Sequence, residues 1–221
     1  MTKNLRKTFD EEAVLDAAAH VFRRRGYGAA TVREIAQAAG MFLGSLHYRY
    51  PTKDALLLGL MERAIGRAMS AVRAAVEPER DPVERLRLGL RAHLEVLLSG
   101  DDDFYVLLYD WRSLHGVGKE GILRVRNRYE LLWDELLRAA VEAGWARPGV
   151  DVELLRQFGF GAMNWVAQWR HEHDARTPAE IADAFWSYLA FGLLADEKRG
   201  KVEARERKGK RLGQMTKRRR S

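Results

Sequence analysis

The chain has 221 residues, a formal net charge of +7 and no cysteine, and hydrophobic residues make up 47% of it. The lack of cysteine excludes disulfides, thiolate metal sites and cysteine nucleophiles. The apolar fraction is sufficient for a substantial core, so most of the chain is predicted to fold. Its apolar runs are too short to cross a membrane, and its first residues are polar and basic, unlike a secretory signal. We therefore expect a soluble, cytoplasmic protein with one or two domains.

Apolar residues recur at the helical period along the chain, and no strand-like alternation extends beyond a few residues. The fold class is therefore predicted to be all-α, with about nine helices. Thr31 and Glu34 form a capping box. Gly40 is suited to ending a helix, and Pro51 ends another before Thr52 caps the next. Helices are predicted over about 10–25, from Thr31 to Gly40, over 43–49 and 53–76, from Asp81, from Asp101 to a break at Gly116–Gly118, from about Ile122 to Gly144, from Asp151, and from Thr177.

Positive charge is concentrated at the two ends of the chain, and the middle is mildly acidic. Residues 1–8 are predicted to be a flexible basic N-terminus. Residues 196–221 lack the apolar pattern and are rich in Lys and Arg, so they are predicted to be a disordered basic tail. This distribution suits a protein whose ends meet phosphate. A tail that is merely solvated is the alternative.

Two short helices joined through a glycine turn, from Thr31 to Lys53, have the sequence form of a helix-turn-helix. The second helix of this motif lies in the major groove of DNA. Small residues at Gly44 and Ser45 permit close approach, and Lys53 at the start of the next helix favours phosphate. Phe42 is predicted to pack between the helices. The candidate DNA-binding residues are Arg33, Leu43, Gly44, Ser45, His47, Tyr48, Arg49 and Lys53.

These N-terminal residues resemble the tetracycline-repressor (TetR) family of transcriptional regulators over about 9–60. The resemblance is carried by the pattern Ala-x-x-Val-Phe-x-x-x-Gly from Ala18 to Gly26, by Thr31-Val-Arg-Glu-Ile-Ala, by Gly40, by Gly44-Ser-Leu, and by Tyr50-Pro-Thr-Lys-Asp-Ala-Leu. The chain departs from the family pattern at His47, where tyrosine is usual, and at Phe42-Leu43, where a polar pair is commoner. Apolar groups there could touch thymine methyls.

The resemblance implies a helix-turn-helix DNA-binding domain over 9–52 and a helical effector-binding and dimerisation domain over 53–195. It also implies a ligand-responsive regulator, most often a repressor, that binds a palindromic operator as a homodimer. An activator, or a DNA-binding protein that senses no ligand and uses its basic tail for affinity, is the alternative.

Large aromatic residues are dense in the second half of the chain. Aromatics at helical spacing are often plain core, but as a group they could line a pocket for a small hydrophobic effector. His93 and Asn164 are candidate polar groups within it. The candidate effector-binding residues are Phe104, Tyr109, Trp111, Tyr129, Trp133, Phe158, Asn164, Trp165 and Trp169.

The pattern Asn164-Trp-x-x-x-Trp169, followed by Thr177-Pro-Ala-Glu-Ile, is partly similar to TetR-type regulators that respond to acyl-CoA thioesters. Such an effector needs cations for its phosphates. Arg124 and Arg128 lie four residues apart on one predicted helix face and could supply them, whereas Arg126 is predicted to point elsewhere. Solvated arginines are the alternative.

An enzyme is not expected, and neither a cofactor nor a metal is predicted. The run His171-Glu-His-Asp174 contains residue types that bind metals. Residues two apart on a helix face different ways, however, so we interpret this run as a solvated helix end and not as a metal site. The sequence contains no glycine-rich phosphate loop and no serine nucleophile elbow.

Overall fold

The computed structural model describes residues 9–146, 149–169 and 176–191. Within these residues the fold is all-α, as predicted, and none of the helices is long and apolar enough to span a membrane. The helices are α1 (Glu11–Ala29), α2 (Val32–Ala38), α3 (Leu43–Arg49), α4 (Lys53–Val76), α5 (Pro82–Leu97), α6 (Asp102–Tyr109), α7 (Gly116–Glu142), α8 (Val152–Trp169) and α9 (Pro178–Phe191), with a 3-10 turn at Trp111–Ser113 between α6 and α7.

Side-chain caps explain why several helix starts could be located from sequence. The Thr52 hydroxyl accepts a hydrogen bond from the amide of Ala55 (3.1 Å), and the Asp81 carboxylate accepts one from the amide of Glu84 (2.8 Å). Each cap satisfies an amide that the helix itself leaves free. The capping box at the start of α2 and the caps at Asp151 and Thr177 are also present.

The break after α6 was predicted in the wrong place. Helix α6 ends at Tyr109, and Gly116 begins α7 at a φ of +50°. A glycine with positive φ can stand at either end of a helix, so the local sequence did not distinguish a stop from a start. Gly26, by contrast, interrupts α1 at a φ of +73°, where a stop was predicted, although one more helical turn follows it.

Helix α4 is the central element of the fold, because its buried side chains extend over nearly its whole length, from Leu56 to Val76. It packs against α1, α5, α6 and α7. The residues up to Ala182 form one compact unit, and those from Asp183 onward belong to a second, which in the described part is the last stretch of α9. The domain limits at residues 52 and 195 therefore stay a prediction. The predicted flexible end at 1–8, the basic tail at 196–221 and the run His171–Asp174 lie outside the described residues.

Candidate nucleic-acid interface and ligand cavity

A tight turn joins α2 to α3. The amide of Met41 donates to the carbonyl of Ala36 (2.9 Å), and the amide of Gly40 donates to the carbonyl of Gln37 (3.1 Å). Gly40 has a φ of +64°, a conformation that favours glycine. Leu46 is fully buried and anchors α3 from beneath. The two helices are thus held in a fixed helix-turn-helix geometry.

The opposite side of α3 is open to solvent. Tyr48 is 93% exposed, and Phe42, immediately before the helix, is 86% exposed. The prediction that Phe42 packs between the helices is therefore wrong. Met41 is the half-buried residue of the turn, whereas Phe42 continues in extended conformation into solvent. Among the candidate DNA-binding residues, Arg33, Gly44, Ser45, His47, Tyr48 and Arg49 are exposed and Leu43 is half-buried.

Lys53 does not present its ammonium group as a phosphate ligand. Its Nζ donates to the carbonyl oxygens of Tyr27 (2.6 Å), Gly28 (3.2 Å) and Ala30 (3.0 Å). These three bonds use all three donors of a lysine, and the ammonium also lies over the Tyr27 ring. In this structure Lys53 ties the start of α4 to the end of α1, contrary to our expectation that it contacts DNA.

Arg49 is also paired, but loosely. Its guanidinium donates to a carboxylate oxygen of Glu11 at 3.1 Å, and both side chains are about half exposed. Exposed pairs of this kind contribute little, about 0–1 kcal/mol. Arg49 can therefore exchange Glu11 for a phosphate at small cost.

An ion-pair network connects α1, α4 and α6. The guanidinium of Arg63 on α4 donates to both oxygens of the buried Asp103 carboxylate on α6, at 2.8 and 2.7 Å. It also pairs with Glu12 and Asp16 on α1, each at 2.9 Å. Burial alone would lower the pKa of Arg63, but the hydrogen bonds and charge of Asp103, with smaller effects of Asp16 and Glu12, outweigh it and raise that pKa. Arg63 thus joins α6 to α1: its contact with Asp103 is buried, and its partners on α1 are exposed to solvent.

A cavity of about 520 Å³ lies between α4, α5, α6, α7 and α8. Its size falls within the range typical of small-molecule sites. Five of the predicted effector-binding residues line it, as does His93: Phe104, Trp111, Tyr129, Asn164 and Trp165. Four others are not among the lining residues, namely Tyr109, Trp133, Phe158 and Trp169.

The four residues outside the cavity have three kinds of environment. Trp133 is buried behind the cavity wall, edge-on to the His93 ring. Tyr109 stacks against Tyr105, with ring centroids 4.3 Å apart. Phe158 and Trp169 face solvent on the outer side of α8. Their aromatic character was visible in the sequence, but it did not indicate which side of each helix faces inward.

The two ends of the cavity differ in polarity. The most buried lining residues, which we call the deep end, are mainly apolar: Ile65, Ala68, His93, Leu97, Phe104 and Tyr129. The more exposed rim carries Arg112, Arg126, Glu130, Gln157, Trp165 and Gln168, and Glu130 lies 3.8 Å from the Arg126 guanidinium. Such an arrangement suits a ligand with an apolar body and a polar or anionic outer part.

The rim arginines differ from the predicted pair. Arg112 and Arg126 both lie over the Trp111 ring, each with its guanidinium carbon 5.0 Å from the ring centroid. Arg124 and Arg128 are exposed and do not line the cavity, whereas Arg126, on another face of the helix, does. The predicted pair therefore lies outside the cavity, and its role toward an effector stays a prediction. Helical register explains this placement, because Arg126 stands three residues before the inward-facing Tyr129 and four after the buried Ile122.

Several lining residues were not found from the sequence. Arg156 on α8 donates to Glu130 (2.7 Å) and Asp134 (2.8 Å) on α7, which closes one side of the cavity. Phe160 follows Arg156 by four residues and precedes Asn164 by four, so the three share one helix face. The four-residue spacing from Asn164 is visible in the sequence and is enough to predict that Phe160 and Arg156 face the same side as Asn164.

Comparisons with known proteins agree with this architecture. Residues 14–60 match the family "Bacterial regulatory proteins, tetR family", and residues 79–193 match "Tetracyclin repressor-like, C-terminal domain". The HTH-type transcriptional repressor KstR2 of Rhodococcus jostii (strain RHA1) is 29% identical over 82% of this chain and 90% of its own length. The fatty acid metabolism regulator protein of Bacillus subtilis (strain 168) is 25% identical over 81% of this chain and 93% of its own.

A solved structure of AibR in complex with isovaleryl coenzyme A and operator DNA is similar as well. It is 25% identical, covers 83% of this chain and 99% of its own, and superposes with a TM-score of 0.73. Since the C-terminal family match alone spans half of the sequence, and the N-terminal match coincides with the observed helix-turn-helix, the chain belongs to the TetR family of transcriptional regulators and is not an enzyme.

Proposed function

We propose that this chain is a ligand-responsive transcriptional repressor that binds a palindromic operator as a homodimer and is released by a small hydrophobic effector, such as an acyl-CoA. The observation that supports it best is the pairing of an outward-facing α3 with a ligand-sized cavity in one compact unit. It acts in the cytoplasm, where bacterial operator DNA lies.

The DNA-contacting surface that we propose is the exposed side of α3 with Arg33 of α2. A Cβ atom built at Gly44 would meet nothing within 4 Å, so the protein's own packing does not require a glycine there. A close approach of the DNA backbone is a reason for one. Tyr48 and Ser45 can donate to phosphate oxygens, and Arg49 can reach phosphate or guanine.

The dimer interface that we propose is an apolar stripe on the exposed side of α8, where Gly161 and Trp165 also border the cavity. Phe158 is 73% exposed and Trp165 63%, and Leu154 and Trp169 are also exposed. Steps of three and four residues place all four, with Gly161, on one face of the helix. Exposed apolar surface of this extent indicates an interaction site, and a twofold axis through such a stripe makes it self-complementary.

The effector class is supported by the cavity rim and by the relatives. AibR was solved with isovaleryl coenzyme A, and the paired guanidiniums of Arg112 and Arg126 are suited to phosphate groups. The apolar deep end would take the acyl portion. Arg156 is less suited to this role, because two carboxylates hold it at 2.7 and 2.8 Å, whereas Arg126 has one acidic partner at 3.8 Å.

Effector and operator compete through α6. This helix contributes Phe104, Leu107 and Leu108 to the cavity wall, and its Asp103 is bound to α4 and, through Arg63, to α1. One state of the protein binds the operator, and in the other α6 is displaced. An effector that binds the second state more tightly weakens operator binding by the difference between its binding free energies for the two states.

The test has two steps. The full chain is first used to select duplexes from a random pool, and we expect an inverted repeat to be enriched. A panel of acyl-CoAs is then titrated against the selected duplex in a fluorescence anisotropy assay, and we expect at least one to release the DNA. If no inverted repeat is enriched, the proposed binding to a palindromic operator is wrong. If no acyl-CoA releases the DNA, only the proposed effector class is wrong.

A further inference from the structure

Phe42 precedes α3, and neither of the usual structural roles of such a residue explains it. The residue at the N-terminal cap of a helix is most often Ser, Thr, Asp or Asn, whose side-chain oxygen accepts a hydrogen bond from a free amide. Phe42 occupies the cap position of α3 and makes no such bond. Its ring does not pack into the core either, since Phe42 is 86% exposed. A phenyl group at this position therefore contributes little to the fold.

The main chain of Phe42 is nevertheless held firmly. Its carbonyl oxygen accepts hydrogen bonds from the amides of Ser45 (3.0 Å) and Leu46 (3.2 Å), and Leu46 is fully buried. The backbone of Phe42 itself is extended, with a φ of −71° and a ψ of 135°. The exposed ring thus stands on a fixed support, so only its side-chain rotation has to be ordered when it binds something.

The position of this ring is the end of α3 that meets the bases. In helix-turn-helix proteins the N-terminal residues of the second helix contact base edges in the major groove. The next turn of α3 carries Gly44 and Ser45, which are small and exposed, and a Cβ atom built at Gly44 would meet nothing within 4 Å. These residues do not hold the DNA away from the ring. If α3 enters the groove, the Phe42 ring enters with it.

We propose that Phe42 contacts the C5 methyl group of a thymine, so that each half-site of the operator contains one thymine that the protein recognises through its methyl group. A phenyl ring has no hydrogen-bond donor or acceptor, and the thymine methyl is the apolar group that distinguishes one base pair from the others in the major groove. This inference deepens the proposed operator binding and depends on it. The rival contact is deoxyribose, which every nucleotide presents and which carries no sequence information.

The experiment starts from the duplex that the full chain selects from a random pool, and each thymine is replaced in turn by deoxyuracil. This base pairs with adenine as thymine does and lacks only the methyl group. Affinity is measured by fluorescence anisotropy. We expect the wild type to lose about fourfold in affinity at one thymine of each half-site, as burial of one methyl group predicts, and about fifteenfold when both are replaced.

A second pair of duplexes returns the methyl group on a different base. Cytosine or 5-methylcytosine takes the place of the sensitive thymine, with guanine opposite. The two bases present the same hydrogen-bonding groups and differ only in the C5 methyl. Both should bind more weakly than the thymine duplex, and we expect the methylated one to bind about fourfold more tightly than the unmethylated one.

Two variants assign the methyl contact to the ring. Phe42→Ser removes the ring and supplies the cap oxygen that α3 lacks, so its melting temperature should be at least that of the wild type. Its affinities for the thymine and deoxyuracil duplexes should agree within about 1.5-fold, whereas Phe42→Leu, which keeps an apolar side chain, should retain part of the difference. The matched control is Val117→Ser, which removes a 78% exposed apolar side chain of α7 and should leave the methyl dependence unchanged.

Three results would overturn the inference. In the first, the wild type binds thymine and deoxyuracil duplexes equally at every position. In the second, the methyl dependence persists in Phe42→Ser, because another residue then contacts the methyl group. In the third, Phe42→Ser weakens binding to both duplexes by the same factor, which assigns the ring to the sugar. An inverted repeat that is bound without methyl dependence defeats this inference alone, whereas failure to select any duplex defeats the proposed function as well.

Discussion

The contact between Arg63 and Asp103 joins α4 to α6, and its removal tests whether buried charge holds these helices together. The Arg63 side chain is 10% exposed and that of Asp103 5%. Replacing Arg63 by methionine keeps an unbranched apolar stem but removes the guanidinium and leaves a buried carboxylate. Its other cation is Arg67, whose Nη1 lies 3.6 Å from Asp103.

Breaking a buried pair by removing one partner costs about 3–5 kcal/mol. Arg67 compensates in part, so we expect Arg63→Met to cost about 3 kcal/mol, at the lower end of this range. Asp103→Leu should cost about 2 kcal/mol, because Arg63 keeps Glu12 and Asp16 as partners while two charge-assisted hydrogen bonds are lost. The double variant leaves no buried charge uncompensated and should be less destabilised than the sum of the two single variants by at least about 1 kcal/mol.

The measurement is the free energy of unfolding from urea titrations of the wild type, both single variants and the double variant. For a chain of this size, 3 kcal/mol corresponds to a decrease in Tm of roughly 6–12 °C. The matched control is Glu95→Gln, which removes the exposed pair of Arg91 and Glu95 and should cost no more than about 0.5 kcal/mol. Strictly additive single variants would show that Arg63 and Asp103 do not act as a pair.

Four further predictions concern single side chains. Tyr48→Ala should lower operator affinity about tenfold, through loss of a phosphate contact, without changing Tm, and a fall in both would show that Tyr48 supports the fold instead. Lys53→Met removes the donor to three carbonyl groups and should destabilise the protein by about 2 kcal/mol in urea titrations; an unchanged midpoint together with weaker operator binding would restore Lys53 as a DNA ligand. Phe158→Asp should shift the chain from dimer to monomer in analytical ultracentrifugation, and a dimer of unchanged strength would place the interface elsewhere. The pKa of His93 is about 4 in the folded state and about 6.5 in the unfolded chain, so between these values the unfolded chain binds a proton that the folded protein does not. As the pH decreases from 6.5 to 4, this difference should lower the free energy of unfolding by about 3 kcal/mol. His93→Phe should lack this part of the pH dependence, and parallel pH curves of the two proteins would refute it.

The short helices near the N-terminus could be predicted from sequence because their boundaries depend on local chemistry. Helices α3 and α4 begin and end at the predicted residues. Thr52 supplies a cap through its own side chain, and the turn before α3 needs only the positive φ of Gly40. These interactions join residues a few positions apart, so the pattern of residue types contains them.

Features that depend on distant residues could not be predicted in the same way. Whether Arg124, Arg126 or Arg128 faces the cavity depends on the rotation of α7, which its packing against other helices decides. The capture of Lys53 by carbonyl groups depends on where the end of α1 lies. The exposure of Phe42 likewise reflects the absence of a neighbour over it among the described residues, which the sequence around Phe42 does not reveal.

The most direct test of the proposed function is a dimethyl sulfate footprint of the selected duplex with the full chain bound. This reagent methylates guanine N7, which lies in the major groove. We expect protection in two symmetric half-sites separated by about one helical turn or a multiple of it, and loss of that protection when the effector is added. Protection confined to one half-site, or none at guanine N7 on a duplex that the chain still binds, would contradict the placement of α3 in the major groove.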